Sequence, residues 1–272
     1  MAKLLNIGLY CKNGWMENDD SVAHRLQDLS DAIDTAFDTI GPTVPVPVGA
    51  PALPLNIFVA PEYLFKKNDH RCKTGNQISS YTVDEKDQIL AALGTLSASR
   101  PNFLLIGGSV FWYEALQKKH WWNKQPRDEV HNTVAVFHDG NLLLSYDKMN
   151  DCGELSPEIP AEAKKQTFVR GLQHGLFTCD GLQCGVETCL DHDKGELHAA
   201  GTNLDIHFVA SNTVSVTASK VACGAGGLVI QANACPPRQA FGNNVYVHPF
   251  AWDSKHAVVN QGQVGFTRFV LP

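Results

Sequence analysis

Short, nearly unbroken apolar runs limit this chain more than any other feature. Leu55 to Ala60 (LNIFVA) and Phe103 to Ser109 (FLLIGGS) lack the regular polar alternation of a strand with one wet face. Such runs predict strands covered on both sides. Leu4 to Cys11, Leu204 to Ala210 and Gly227 to Ala232 read the same way. Helical patterns lie between them. Behind the capping cluster Asp19-Asp20-Ser21, apolar residues fall at Val22, Leu26, Leu29, Ile33, Ala36 and Phe37, and the pattern closes near Gly41-Pro42. Asp84 to Ser97 carries Ile89, Leu90, Leu93 and Leu96 on one side. Strands alternating with helices predict an α/β fold with covered sheets. No repeat, low-complexity stretch or linker divides residues 1–272, so a single domain is expected.

The connections are equally readable. Pro42, Pro45, Pro47, Pro51 and Pro54 make the stretch from Gly41 to Pro54 a loop, because proline has no amide hydrogen to offer a helix or ladder. Asn132 to Tyr146 predicts a hairpin turning at His138-Asp139-Gly140-Asn141. Leu176 to Cys179 and Gln183 to Thr188 flank an Asp180-Gly181 turn, and Asn244 to His248 reads as a late strand.

Composition removes several classes of partner. The formal net charge is -6 with no basic run, which argues against nucleic acid. No stretch approaches the roughly 18 consecutive apolar residues of a membrane span, and the amino terminus lacks the apolar core of a signal peptide. Eight cysteines are scattered, mostly among apolar residues, so reduced thiols and a cytoplasmic location are expected.

Three segments run from a buried strand into a reactive residue, where α/β folds usually place chemistry. They are Asn56-Ile-Phe-Val-Ala-Pro61-Glu62-Tyr63, Leu142-Leu-Leu-Ser-Tyr-Asp147-Lys148 and Cys184-Gly-Val-Glu-Thr-Cys189-Leu190-Asp191. Singly, each has an ordinary explanation: a solvated loop acid, a surface lysine, a core cysteine. Together, a strand ending in Pro-Glu, one ending in Tyr-x-Lys and one ending in Gly-x-x-x-Cys-x-Asp resemble the nitrilase (carbon-nitrogen hydrolase) superfamily. His131-Asn132-Thr133-Val-Ala-Val before Asp139-Gly140 is similar to the context of its second motif. The resemblance runs from the first strand to about Ala210.

That resemblance implies an α-β-β-α sandwich, two stacked mixed sheets flanked by helices, assembled as a homodimer or larger homo-oligomer. It implies a triad of Glu62, Lys148 and Cys189, with no metal or organic cofactor. Cys189 would be the nucleophile; a free thiol is only a few per cent thiolate at neutral pH and needs activation. Glu62 would take its proton and later return one to the leaving amine, a role that needs a pKa raised by burial. Lys148 would hold the oxyanion together with the amide hydrogen of Leu190. A second glutamate commonly follows the lysine and positions substrate; Glu154 is preferred here over Glu158. A small amide or N-carbamoyl compound is the expected substrate. Nitrile hydrolysis and a non-catalytic binding relative are the alternatives.

Some residues depart from the family pattern. Met149-Asn150-Asp151 follows the lysine where relatives often carry a His-Leu-like pair, and Leu190 and His192 flank Asp191 where many carry an aromatic and an arginine. The last third, including Ser211-Asn-Thr-Val-Ser, matches poorly, which puts substrate and dimer contacts in question. Cys179, Cys184, Cys189 and His192 lack the paired spacing of a structural zinc site. Cys184 and Cys189 are not a C-x-x-C redox pair. Gly224-Ala-Gly226-Gly227 lacks the lysine partner of a phosphate loop. Trp112, Trp121 and Trp122 read as packing residues, and His70, His131 and His174 as ordinary structural or surface histidines.

Overall fold

Strands that are apolar on both faces need two covers, and stacking two sheets supplies one of them. In the computed structural model, which describes residues 2–12, 19–51, 53–68, 79–116, 127–151, 166–201, 203–234, 244–248 and 263–272, the first sheet contains β1 (Lys3–Cys11), β2 (Leu55–Val59), β3 (Phe103–Glu114), β4 (Asp128–His138), β5 (Asn141–Asp147), β6 (Gln166–Phe168) and β12 (Gln263–Leu271). Its order is β12-β1-β2-β3-β4-β5, with β6 beside the start of β4. β1, β2 and β3 run parallel, as do β4 and β6; β4 is antiparallel to β3 and β5, and β12 to β1. The second sheet holds β7 (Leu176–Cys179), β8 (Leu182–Thr188), β9 (Leu204–Ser211), β10 (Cys223–Asn233) and β11 (Asn244–Val247), in the order β11-β10-β9-β8-β7. Parallel β8, β9 and β10 form its centre.

Between the sheets lies a core built from alternate residues of each. Leu5, Ile7, Leu9, Ile57, Val59, Ile106, Val134 and Val136 meet Cys184, Val186, Ile206, Phe208, Leu228 and Ile230. The opposite parity of the first sheet, with Phe58, Phe103, Leu105, Ala135 and Phe137, packs under α1 (Val22–Asp34) and α2 (Val83–Ser97). Burying one such side chain is worth roughly 1.5–3 kcal/mol, so both layers contribute strongly. Local signals fix where the helices begin. The Ser21 hydroxyl accepts the His24 amide hydrogen, and Thr82 and Glu85 form a reciprocal capping box on α2.

The outer face of the second sheet is covered differently. Over Leu204, Val209, Val229 and Tyr246 lie α3 (Leu190–Lys194), α4 (Glu196–Ala199) and a 3-10 turn at Ala218–Lys220. The expected sandwich holds, but among the described residues this layer has only very short helices. Other differences are local. The first helix stops at Asp34 and continues as a wide turn, Thr35–Ile40, and a tight one, Gly41–Thr43. β3 runs on to Glu114 and draws Trp112 into the sheet, and β12 was not anticipated. No helix among the described residues is long and apolar enough to cross a membrane.

Candidate active site

Three strand ends converge. Glu62 lies just past β2, in a turn that the sequence makes tight. The Ala60 amide still pairs with Ile106 of β3, and then Tyr63 takes a positive φ of 60°. Its amide hydrogen goes to the Ser109 hydroxyl, 2.9 Å away. Room for this turn comes from Gly108, where β3 bulges. Gly108 has φ of 85°, and a Cβ there would stand 2.5 Å from the Pro61 carbonyl oxygen. The turn leaves Glu62 with no exposed surface. Asn132 Nδ2 donates to its Oε1 at 3.0 Å.

Lys148 follows β5 and is equally buried. Its backbone is fixed on both sides, donating to Asn132 O and accepting from the Gly171 amide, each at 2.9 Å. Its ammonium reaches Glu62 Oε1 at 2.9 Å and the Tyr63 hydroxyl at 3.5 Å, and it sits 5.6 Å from the Tyr63 ring centre. A buried carboxylate and ammonium are tolerated only when paired in this way.

Cys189 ends β8 at a sharp elbow. Its amide extends the β8–β9 ladder by one bond to Ala210 O, at 3.0 Å. The backbone then turns through φ 38° and ψ -102°, a conformation costly for any side-chain-bearing residue, and α3 begins at Leu190. Asp191 holds this elbow from inside. Its buried carboxylate accepts from the Tyr146 hydroxyl, the Thr188 hydroxyl at 3.1 Å, the Met149 amide at 3.1 Å and the Asn150 amide at 2.8 Å. One side chain therefore locks the Lys148 segment to the Cys189 elbow. Its own pKa is raised by burial, against the lowering effect of the Tyr146 and Asn150 bonds.

The sulfur's surroundings set its chemistry. Burial first, and then the Glu62 charge, push the Cys189 thiol up to about 12, while Lys148 and the Asn212 backbone amide pull it down. The Glu62 carboxylate is within hydrogen-bonding reach of that thiol. The resting group is therefore a thiol with a base beside it and a cation and an amide hydrogen ready for negative charge. This arrangement can deprotonate a sulfur on demand and stabilise an oxyanion.

On the other face of β8 lies a second buried cluster. Glu187 Oε1 is 2.7 Å from His192 Nδ1 and 2.8 Å from His207 Nε2, the latter poorly aligned, and Oε2 accepts the Leu197 amide at 3.1 Å. Three such groups within reach of one point suggest metal ligands. Proton accounting argues otherwise. His192 Nε2 accepts the Thr217 amide hydrogen at 3.0 Å, and His207 Nδ1 accepts that of Ala222 at 3.3 Å. Each neutral ring must then carry its proton on the nitrogen facing Glu187, so neither offers a lone pair there. Metal-bound histidines do the reverse, donating from the far nitrogen.

Of the residues singled out in the sequence, Glu62, Lys148 and Cys189 come together, with Leu190 next in line as the half-buried first residue of α3. Glu154 and Glu158 lie outside the described residues, as do Trp121, Trp122 and His70. Trp112 stacks on His131, with ring centres 4.2 Å apart, on the helix-covered side, and its indole N–H donates to Thr133 Oγ1 at 2.8 Å. Cys179 and Cys184 belong to the core between the sheets, not to a ligand set with His192. Sequence reasoning overlooked Asn132 as a Glu62 partner, the Asn212 amide, and Glu187 with His207. Glu187 and His207 had left a trace: each is a titratable residue beside apolar ones in a mostly buried strand.

No protein-family model matches the chain, and no curated protein does either. Solved structures do. An amidase from Nesterenkonia sp. AN1, in a variant showing Michael addition of acrylamide at the active-site cysteine, aligns with a TM-score of 0.58 and 15% identity, covering 97% of this chain and 92% of that one. A second variant of that amidase, described as from the nitrilase superfamily, gives 0.59 and 14%, covering 98% and 90%. Saccharomyces cerevisiae Nit3, described as a member of branch 10 of the nitrilase superfamily, gives 0.60 and 16%, covering 98% and 90%. Two stacked mixed sheets with this strand order, matched over nearly the whole length of those proteins, make the fold of this chain that of the nitrilase superfamily.

Proposed function

We propose that the chain hydrolyses a non-peptide carbon-nitrogen bond, in a small amide or N-carbamoyl compound, through a thioester on Cys189. The observation that carries this reading is the convergence of buried Glu62, Lys148 and Cys189 at three strand ends. The Nesterenkonia amidase, with its reactive active-site cysteine, supports it by analogy of fold.

The chemistry balances without a cofactor. Glu62 takes the thiol proton as sulfur bonds to the carbonyl carbon, and the carbonyl oxygen becomes an oxyanion facing Lys148 and the Leu190 amide. The carbon-nitrogen bond then breaks. The leaving nitrogen takes the proton from Glu62 and departs as ammonia or an amine, leaving the acyl thioester. Water attacks this thioester while Glu62 receives its proton, and the acid leaves as the proton returns to sulfur. A cytoplasmic, homo-oligomeric enzyme remains part of the same reading.

The test is ammonia release from a panel of ω-amides, N-carbamoyl amino acids, aliphatic amides and nitriles, with wild type beside Cys189→Ala. Release that vanishes in the variant is expected, and the responding compound names the substrate class. Equal release by both proteins would remove Cys189 from the chemistry.

A further inference from the structure

Two buried acids bracket Cys189, one on each face of β8. Asp191 serves the triad side. Glu187 points the other way, beneath α3 and α4, and no step of the proposed reaction uses it. Burying a carboxylate is costly, and Gly185 and Val229 show that small or apolar residues fill this face elsewhere. Its bonds indicate what it holds. The His192 ring N–H donates to it across the elbow, from the first turn of α3 back to β8, at 2.7 Å. Leu197 ties α4 to its other oxygen, and His207 adds β9. His192 in turn accepts Thr217, at the far end of the segment whose first residues present the Asn212 amide to sulfur.

A strained backbone persists only where its surroundings over-determine it. Asp191 clamps the Cys189 elbow from inside, and the Glu187–His192 bond closes it from outside. We propose that Glu187 is a positioning residue which, through His192, holds the elbow so that the Cys189 sulfur meets Glu62 and the amide hydrogens around it. This inference rests on the hydrolase reading above.

The readout is the pH dependence of Cys189 alkylation by iodoacetamide, followed by intact mass, together with kcat and KM on the responding substrate. Charged groups facing Cys189 are Glu62 and Lys148, with Asp191 two residues along the chain; those facing Glu187 are His192 and His207, with His198 and Tyr146 beyond. Removing the Glu187 charge alone would ease thiolate formation and move alkylation to lower pH. Loosening the elbow weakens amide donation to sulfur and moves it to higher pH. For Glu187→Gln and His192→Leu we therefore expect a rise of about one pH unit, the size of a hydrogen bond to a charged group. A fall in kcat of about tenfold should accompany it, with KM within about twofold. His192→Asn keeps an N–H on Glu187 but loses the Thr217 acceptor, and should fall closer to wild type than to His192→Leu.

A downward or absent shift in Glu187→Gln overturns the proposal, and so does a His192→Asn variant as impaired as His192→Leu. If Glu187→Gln does not fold, the two His192 variants carry the test alone. Wild type that releases no ammonia from any panel member would count against the hydrolase reading, whereas the alkylation comparison would still decide this one.

Discussion

At the residue scale the site works by opposing charges around one sulfur. Glu62 raises the Cys189 thiol and Lys148 lowers it, and burial outweighs both. In the proposed reaction, the acid that removes the proton therefore also opposes the resting thiolate. Glu62→Gln should separate the two effects. Alkylation of Cys189 should move to lower pH, since a negative neighbour is gone, while amide turnover falls by about a hundredfold or more with the base. Iodoacetamide titration beside turnover checks this, and an unmoved alkylation profile would mean that the two groups do not interact. Glu62, Lys148 and Cys189 were legible as candidates because each ends a buried run at a turn, where a polar side chain needs a reason. Glu187 was harder to read, since its partners His192, Leu197 and His207 lie on three other elements that only the fold brings together.

At the scale of elements, the turn after β2 depends on a gap in β3. Gly108 has both a left-handed φ and a carbonyl oxygen where a Cβ would go, whereas Gly181 has a similar φ of 77° and nothing within 4 Å. Gly181→Ala should cost about 1 kcal/mol of strain. Gly108→Ala adds a collision with Pro61 and Leu64 and should cost about 2–4 kcal/mol, with reduced turnover because Glu62 moves with the turn. Urea unfolding of the two variants isolates the collision, and equal losses would sink this account. Periodicity located α2 to within a residue and β2 closely, because capping and apolar runs are local signals. It missed β12, whose Val264, Phe266, Phe269 and Leu271 are shared between two cores and interrupted by Gly265, Thr267 and Arg268.

At the scale of the whole molecule, the stacked sheets were expected but the thin cover of the second sheet was not, since its helices are too short for their apolar residues to make a periodic pattern and buried polar bonds supplement them. That layer should make the protein sensitive to acid. Burial keeps His207 neutral below its ordinary pKa, so the unfolded chain binds the extra proton first and stability begins to fall as pH drops through about 6.5. Glu187 is held down at about 2 by the His192 and His207 bonds, against burial, compared with 4.5 when unfolded. Its contribution, about 3 kcal/mol, is complete above pH 4.5 and drains away between there and 2. Urea midpoints measured from pH 8 to pH 3 should show a shallow decline and then a steep one, and a flat profile to pH 4 would contradict the His207 part. The pairing of β1 with β12, from Lys3 opposite Leu271 to Cys11 opposite Gln263, carries a consequence for synthesis. β1 is made long before β12 and waits beside β2 with one side unpaired until β12 has left the ribosome. During that time its open edge is a template for pairing with another nascent chain, and folding of the first sheet is completed only when its last neighbour arrives.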